Sequence, residues 1–477
     1  MNNIELLTLI DDFILDAKLT KQFLLNDITT DLSKSNIGQI VFYKINNDQK
    51  THDIFKQRYM DSHRPLLIMN KKPDYDIDNY ILISVDNFLH CQKRILDKLF
   101  PFERNLLKII GVTGTNGKSS VVHLSMHLSN MLGRNAICIG TLGAYDSKTT
   151  IVDSFGVTSP SYIDLRKLFF KINHTHQAVF MEVSSHALIQ NRLFDIELDT
   201  AAWTSFSQDH LDYHKTMKEY FQAKTIIFKQ SLKNGGEIFI PFDNDSLFQE
   251  LNNAVLNDNP KKIILKKADT ITSYKNIIIN KEFNNGFMKT NLEVALALNQ
   301  NLWGKINKLD LTTITPPKGR FSKIKINEAT VIIDYAHTPD ALLNIIEAIK
   351  REFSNNKLSI LFGCGGDRDT SKRPLMGEIA SRYADHLFVT SDNPRTENPQ
   401  KIIDDILAGM DMASNINVIL NRREAINTAI KGLQKNDVLL LAGKGHENYQ
   451  EINGVKSPFD EFEIVENIKK WLHTNQS

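Results

Sequence analysis

The chain has 477 residues, of which 42% are hydrophobic and 24% are charged, and 57 Lys and Arg nearly cancel 56 Asp and Glu. At roughly 100–200 residues per domain this length predicts about three domains, and the composition excludes a disordered chain. The balanced charge provides no field for holding nucleic acid, and no apolar stretch is long enough to span a membrane. We therefore expect neither a nucleic-acid partner nor membrane insertion.

The N-terminus lacks the basic region of a signal peptide. Three cysteines, Cys91, Cys138 and Cys364, have the spacing of neither a disulfide framework nor a metal site. These features are typical of a cytoplasmic protein, and we expect a monomer.

Short apolar runs alternate with helix-period segments along the chain. The runs predicted as strands are IVFYKI (Ile40–Ile45), PLLIMN, YILISV, LLKIIGV (Leu106–Val112), AVFMEV, AAWTSF, EIFIPF, VIIDYA, KLSILFG, HLFVTSD and DVLLLAG. The segments predicted as helices are Ser119–Leu132, Ala341–Phe353, Leu375–Tyr383 and Glu424–Leu433. This alternation predicts an α/β protein whose parallel sheets are covered by helices.

Prolines near residues 101 and 316 interrupt the pattern and suggest three domains, 1–102, 103–320 and 321–477. The central domain is predicted to contain a parallel sheet like that of phosphate-loop ATPases. The third has the alternation of a Rossmann-like domain, although it lacks a G-x-G-x-x-G turn after its first strand.

A glycine-rich loop connects the strand LLKII with a predicted helix, which is the setting of a phosphate loop. Small residues let backbone N–H groups approach phosphate, Lys118 can reach the terminal phosphates, and Ser119 can bind magnesium. The strict pattern has a glycine where this chain has Val112. We predict an ATP site at Gly114, Thr115, Asn116, Gly117, Lys118, Ser119 and Ser120.

Two polar segments follow other strands of the central domain. Glu182 lies near the end of the run AVFMEV, where a carboxylate is well placed for magnesium, although a polar strand end explains it equally well. The segment Asp209–His214 could bind a metal or could simply be solvated, and its spacing leaves both interpretations open. Lys224 lies in the following helix and is expected to point toward the loop region.

Four polar clusters follow strands of the third domain. They are D-Y-A-H-T-P (Asp334–Pro339), G-C-G-G-D-R-D (Gly363–Asp369), S-D-N-P-R (Ser391–Arg395) and G-K-G-H-E (Gly443–Glu447). Because the carboxyl ends of parallel strands meet at one edge of a sheet, we expect the four clusters to lie together.

Together these motifs resemble those of the Mur ligases, which add amino acids to the peptidoglycan precursor. G-T-N-G-K, M-E-V-S-S-H, D-H-L-D-Y-H, D-Y-A-H-T-P, G-D-R-D, K-R-P-L-M-G, D-N-P-R and G-K-G-H-E occur in the family's order from about Leu106 to Leu472. Within the family they are similar to the branch that joins meso-diaminopimelate to UDP-N-acetylmuramoyl-L-alanyl-D-glutamate. The resemblance implies that ATP converts the D-Glu side-chain carboxylate into an acyl phosphate, which the amine of the diamino acid attacks.

The resemblance also implies residue roles. Lys118, Lys224, His210 and Glu182 would be catalytic, and Ser119, Glu182, His210 and Lys224, the last as a carbamate (N6-carboxylysine), would hold Mg²⁺. The UDP-muramoyl peptide would contact Thr158, Ser159, Ser184, Gln190 and Arg192. The amino acid would contact Arg368, Asp392, Asn393, Pro394, Arg395, Gly443 and Glu447, with Arg395 facing the second carboxylate of diaminopimelate.

Three positions depart from the family. Asp31-Leu32-Ser33 replaces a D-S-R motif, Pro241 replaces an asparagine on the adenine side, and Phe462 replaces an arginine. Alternative interpretations are a lysine-adding enzyme of the same step, a ligase like folylpolyglutamate synthetase, and a nucleotide-dependent switch without turnover. Arg395 counts against the lysine-adding enzyme, D-N-P-R and K-R-P-L-M-G against the folate-type ligase, and Lys224 with the third-domain clusters against the switch.

Overall fold

A computed structural model describes residues 1–258, 261–269, 271, 274, 277–283, 286–306, 308–410 and 415–475. The chain divides into two compact units. The first comprises 1–108, 160–177 and 190–197, and the second comprises 109–159, 178–189 and 198–477.

The first unit is built on a mixed sheet. Its elements before residue 108 are α1 (Asn3–Leu9), β1 (Ile14–Leu19), β2 (Asp27–Thr29), β3 (Gln39–Tyr43), α2 (Gln49–Asp61), β4 (Leu66–Met69), β5 (Asn79–Ile83) and α3 (Phe88–Leu99). The strands lie in the order β1-β5-β4-β3-β2, in which β1 is antiparallel to β5 and the others are parallel. A buried cluster that includes Val41, Phe55 and Leu67 forms its core.

The next part of the chain forms a larger sheet in the second unit. The elements are β6 (Lys108–Thr113), α4 (Lys118–Met131), β7 (Ala136–Gly140), β8 (Gly143–Tyr145), β9 (Thr150–Val152), α5 (Tyr162–Ile172, in the first unit), β10 (Ala178–Glu182), α6 (Ser185–Ile189), β11 (Leu198–Trp203), α7 (Leu211–His214), α8 (Met217–Ile226), β12 (Leu232–Ile240), α9 (Asp245–Asp258), β13 (Ile264–Lys267), β14 (Ile277–Ile279), α10 (Gly286–Trp303) and β15 (Leu309–Leu311). The strand order is β13-β12-β11-β6-β10-β7-β8-β9.

The middle of this sheet is parallel and buried. Strand β11 pairs in parallel with β6 and β12, and β10 pairs in parallel with β7. Every residue of β7, β10 and β11 is buried, as a sheet covered by helices on both faces requires. The carboxyl ends of β6, β10 and β11 therefore share one edge.

The C-terminal part of the second unit contains another sheet. Its elements are β16 (Ser322–Ile326), β17 (Ala329–Asp334), α11 (Pro339–Glu352), β18 (Leu358–Phe362), α12 (Lys372–Tyr383), β19 (His386–Val389), α13 (Pro399–Leu407), β20 (Ile416–Val418), α14 (Arg422–Lys431), β21 (Val438–Ala442), β22 (Tyr449–Ile452), β23 (Val455–Pro458) and α15 (Glu461–Asn475). The order is β16-β17-β21-β18-β19-β20, parallel from β17 onward, while β22 and β23 form a separate hairpin.

The predicted α/β class is confirmed, and each predicted apolar run contains a strand. Helix starts follow from local chemistry: Thr338 and Asn421 accept hydrogen bonds from the N–H groups of Ala341 and Glu424 at the starts of α11 and α14. Pro339 occupies the first turn of α11, as predicted. Among the residues that the structure describes, no helix has the length and apolar content needed to cross a membrane.

Candidate functional site

A cleft of about 710 Å³ lies in the second unit at the carboxyl edge of the larger sheet. Its walls include the predicted ATP loop from Thr115 to Ser120, together with Thr158, Glu182 and His210. Residues 334–337 and the first turns of α11 complete the lining. The two sheets of this unit therefore contribute to the same cleft.

Two glycines give the loop between β6 and α4 its shape. Gly114 has φ +141° and Gly117 has φ +87°, which are backbone conformations that side chains disfavour. A Cβ at Gly114 would lie 2.1 Å from Thr204 Oγ1, and one at Gly117 would lie 2.7 Å from Asn291 Oδ1. The loop therefore needs glycine at both positions to bend into the start of α4.

Lys118 and Ser119 follow this bend in the first turn of α4. Lys118 Nζ donates to the carbonyl oxygens of Gly114 at 2.9 Å and Thr115 at 2.8 Å. Burial lowers the pKa of Lys118, although Glu182 and Asp209 oppose that shift. Ser119 Oγ donates to Glu182 Oε1 at 2.9 Å, so a hydroxyl and a carboxylate oxygen lie side by side.

Lys224 projects from α8 to the underside of the loop. Its side chain is 1% exposed, and Nζ donates to the Gly114 carbonyl at 2.8 Å and lies 4.6 Å from the centre of the Tyr220 ring. Burial, and then the nearby charge of Lys118, hold the pKa of Lys224 well below its usual range. The expected direction of this side chain is confirmed, and its environment favours a neutral amine.

Asp209 and His210 follow β11. Asp209 is buried and lies 3.4 Å from His210 Nε2, 3.6 Å from Lys372 Nζ and 3.7 Å from His337 Nε2. Burial alone would raise the pKa of Asp209, but the interactions with His210, Lys372 and His337 outweigh burial and hold that pKa well below its usual range. Burial lowers the pKa of His210 to about 3, so its imidazole is neutral at neutral pH.

The residues predicted for the UDP-muramoyl peptide are divided between the units. In the second unit, Ser159 Oγ donates to the Glu182 carbonyl at 2.8 Å and lies 3.3 Å from Ser184 Oγ. Thr158 accepts from Thr141 Oγ1 at 3.3 Å, so the three hydroxyls surround the end of β10. In the first unit, Arg192 donates to Gln190 Oε1 at 2.7 Å.

The first-unit departure at Asp31-Leu32-Ser33 has a local structural explanation. Asp31 Oδ1 accepts from the backbone N–H and the hydroxyl of Ser33, at 3.1 and 2.6 Å, and caps a short 3₁₀ turn. In the second unit, Pro241 and Asn244 line the cleft, and Asn244 also accepts from the Leu247 N–H at 3.1 Å.

The four C-terminal clusters lie together at the carboxyl ends of β17, β18, β19 and β21, as expected. Lys444 Nζ donates to Asp392 Oδ1, Asn393 Oδ1 and Glu447 Oε2 at 3.1, 3.0 and 3.2 Å. Asn393 Nδ2 donates to Glu447 Oε2 at 2.9 Å, and Lys444 is 0% exposed. Burial alone would raise the pKa of Asp392. The positive charges of Lys444 and Arg422 outweigh this effect, so the pKa of Asp392 is lowered overall.

Arg395 ends the D-N-P-R segment with a side chain that is 18% exposed. Its Nη1 donates to the Gly366 carbonyl at 2.7 Å, and its Nε lies 3.5 Å from Glu451 Oε2. Arg368 is exposed and donates to the Asp367 carbonyl at 3.1 Å. Pro394 is buried, and a Cβ at Gly443 would lie 3.3 Å from Asp392 Oδ2.

Sequence reasoning did not single out two residues that occupy this region, Arg320 and Asp340. Arg320 donates from Nη2 to Ser119 Oγ at 3.2 Å and lies over the Tyr335 ring at 4.4 Å. Asp340 accepts from Asn116 Nδ2 at 2.9 Å. Arg320 was interpreted as part of a connector, and the position of Asp340 beside D-Y-A-H-T-P was the available signal.

No group of three or more His, Cys, Asp or Glu within the described ranges has the arrangement of a metal site.

Family comparisons cover most of the chain. Residues 112–309 match the family described as "Mur ligase middle domain", and residues 319–445 match the one described as "Mur ligase, glutamate ligase domain". A relative from Rickettsia montanensis, named UDP-N-acetylmuramoyl-L-alanyl-D-glutamate--2,6-diaminopimelate ligase, is 36% identical over 92% of this chain and 95% of its own length.

Two solved structures have similar folds. One, named as the structure of the same ligase, is 28% identical with a TM-score of 0.55 and covers 94% of this chain and 95% of its own. The other is the MurF ligase from Thermotoga maritima in complex with ADP, with a TM-score of 0.62 and 14% identity over 95% of this chain and 99% of its own.

Proposed function

The chain belongs to the Mur ligase family, and from that premise we propose that it joins meso-diaminopimelate to UDP-N-acetylmuramoyl-L-alanyl-D-glutamate. ATP is converted to ADP and phosphate in this reaction, which is a step of peptidoglycan synthesis. The observation that carries the proposal is the hydrogen-bonded group of Asp392, Asn393, Lys444 and Glu447 at the carboxyl edge of the C-terminal sheet, together with the guanidinium of Arg395 in the same D-N-P-R segment. We call this edge, with Asp392, Asn393, Arg395, Lys444 and Glu447, the rim. It offers separate charges to the two ends of a diamino diacid.

The phosphate end of the reaction is assigned to the loop and α4. The N–H groups at the start of α4 would face the phosphates, and Lys118 would exchange its loop carbonyls for the β- and γ-phosphate oxygens. Phosphoryl transfer depends mainly on such positioning and charge neutralisation. The D-Glu side-chain carboxylate attacks the γ-phosphorus, ADP leaves, and an acyl phosphate is formed.

The donor set near Glu182 is compatible with a magnesium ion. Ser119 Oγ and the Glu182 carboxylate lie 2.9 Å apart, and hard oxygen ligands of this kind suit Mg²⁺. We assign Ser119 and Glu182 to one ion and neutral His210 to another. When bound, the ions would neutralise the charge that develops on the transferred phosphoryl group.

Lys224 is assigned as the carbamate, N6-carboxylysine. Its buried amine favours the neutral form, which is the form whose lone pair attacks the carbon of CO₂ with loss of one proton. The product is an anion that can act as a metal ligand, whereas an ammonium at the same place would repel a cation.

The amine of diaminopimelate then attacks the acyl carbon, and phosphate leaves with formation of the amide bond. In this assignment Arg368, Asp392, Asn393, Pro394, Gly443 and Glu447 bind the amino acid, and Arg395 binds its second carboxylate. Thr158, Ser159, Ser184, Gln190 and Arg192 hold the UDP-muramoyl peptide.

We also propose the domain division 1–102, 103–320 and 321–477, a monomer, and a cytoplasmic site of action, where ATP and UDP-linked precursors are found.

The test is release of ADP by the purified full chain with UDP-N-acetylmuramoyl-L-alanyl-D-glutamate, Mg²⁺ and either meso-diaminopimelate or L-lysine. We expect turnover that depends on the dipeptide and is much faster with meso-diaminopimelate. Faster turnover with L-lysine would contradict the proposed substrate. A rate of ADP release that is the same with and without either amino acid would contradict the proposed ligase activity.

A further inference from the structure

The hairpin of β22 and β23 is attached to the segment that carries Arg395. The Arg395 N–H donates to the Glu451 carbonyl at 3.1 Å, and the Asn453 N–H donates to the Arg395 carbonyl at 2.7 Å. The Glu451 N–H donates to Asn393 Oδ1 at 3.0 Å. These three bonds involve the backbone of the hairpin. They fix the backbone of Glu451 relative to Arg395 and Asn393, independently of the conformation of the Glu451 side chain.

The side chain of Glu451 faces the same rim. Its Oε2 lies 3.5 Å from Arg395 Nε, and the two side chains are 22% and 18% exposed. Alternate residues of a strand share a face, and Tyr449, two residues earlier, has its ring 5.8 Å from Lys444 Nζ. Lys456 is paired with Glu451 across the hairpin, and its Nζ lies 4.2 Å from the Tyr449 ring. A guanidinium and a carboxylate therefore stand next to each other at the edge of the amino-acid site.

We propose that Glu451 is a second specificity-determining residue, which accepts the distal ammonium of the diamino acid while Arg395 holds the carboxylate on the same carbon. The proposal rests on the proposed function. The far end of meso-diaminopimelate carries both charges, so its complement is a cation and an anion held a few ångströms apart. L-Lysine presents an ammonium without a carboxylate, and L-2-aminopimelate presents a carboxylate without an ammonium. Arg395 alone would distinguish L-lysine from diaminopimelate, and Glu451 would distinguish L-2-aminopimelate from diaminopimelate.

The experiment compares Glu451→Gln with the unaltered enzyme on meso-diaminopimelate and on L-2-aminopimelate. We expect the KM for meso-diaminopimelate to rise about tenfold, the effect of losing one hydrogen bond to a charged group at a partly exposed site. The KM for L-2-aminopimelate should change by less than about twofold, and kcat should be retained with both. Glu328→Gln is the matched control, since it removes a carboxylate that pairs with Lys435 at 2.5 Å on the surface, and it should change neither KM.

Each other result overturns the inference. An equal rise in both KM values would mean that Glu451 acts by orienting Arg395, and no rise in either would mean that it has no part in binding. Thermal unfolding of both variants checks that the hairpin is retained. Absence of turnover with meso-diaminopimelate in the unaltered enzyme would overturn the proposed function itself, and the inference with it.

Discussion

Two buried lysines, Lys224 beneath the phosphate loop and Lys444 at the carboxyl edge of the C-terminal sheet, have opposite surroundings. Lys224, 1% exposed, has a backbone carbonyl and an aromatic ring as neighbours, and Lys118 adds a second positive charge. Lys444, 0% exposed, is surrounded by two carboxylates and an amide oxygen. The pKa of Lys224 is lowered well below its usual range.

This difference indicates that Lys224 has a chemical role and that Lys444 has a structural role. A buried amine that donates to a carbonyl is reactive and can change its charge, whereas a buried ammonium between two carboxylates holds the segments at 392–393 and 444–447 together. We therefore expect substitutions at the loop to affect turnover and substitutions at Lys444 to affect folding.

The largest effect is expected at Lys118. Lys118→Ala should lower kcat by about 10³-fold or more, because the charge beside the β- and γ-phosphates is lost, while the melting temperature stays near that of the unaltered enzyme. ADP-release kinetics and thermal unfolding measure the two quantities. Normal turnover by the purified variant would remove the phosphate-loop assignment.

Lys224→Ala should lower kcat by about 10²- to 10³-fold and should be partly rescued by short carboxylic acids, since the missing group is an anion near the metal. The matched control is Lys218→Ala, an exposed lysine of the same helix, which should retain full activity without rescue. Intact-mass measurement of the active enzyme should show one added CO₂. An unmodified lysine in the active, magnesium-bound enzyme is the result that would exclude the carbamate.

The two lysines are compared directly by replacing each with methionine. Lys444→Met should lower the free energy of unfolding by about 3–5 kcal/mol, because it leaves the buried Asp392 and the partly buried Glu447 without their cation. Lys224→Met should change it by about 1 kcal/mol or less, because one hydrogen bond to a carbonyl is lost while an apolar chain stays buried. Urea unfolding measures both. Equal losses would mean that the two environments differ less in energy than their contacts indicate.

Arg395→Ala is expected to have the smallest effect on catalysis and tests the amino-acid site beside Lys444. The KM for meso-diaminopimelate should rise about 30- to 140-fold, which corresponds to about 2–3 kcal/mol. This is the lower part of the range for an unpaired charge, because Arg395 is partly exposed. The KM for ATP should change little, because the nucleotide is assigned to the loop before α4. Unchanged affinity for meso-diaminopimelate would require another substrate for this rim.

Sequence patterns predicted the buried parallel strands because such strands are short continuous apolar runs, as β18 and β21 illustrate. They missed α10, which buries Asn291, Glu293 and Asn299 along with apolar residues and therefore lacks a clear polar face. At the candidate site, motif spacing was sufficient for the loop and for the four clusters. It could not reveal the bond between Lys444 and Asp392, which are 52 residues apart, because that contact exists only once β19 and β21 enter the same sheet.

The three cysteines have a practical consequence for thiol chemistry. Cys91, Cys138 and Cys364 are free and buried, and burial raises the pKa of Cys91 and of Cys364 to about 12 and that of Cys138 in the same direction. At neutral pH about one in 10⁵ of the Cys91 or Cys364 thiols is then a thiolate, the form that reacts with maleimides and peroxides. The folded enzyme should therefore resist oxidation at cysteine. A single cysteine introduced at an exposed position should accept a fluorescent label with little background from the native thiols.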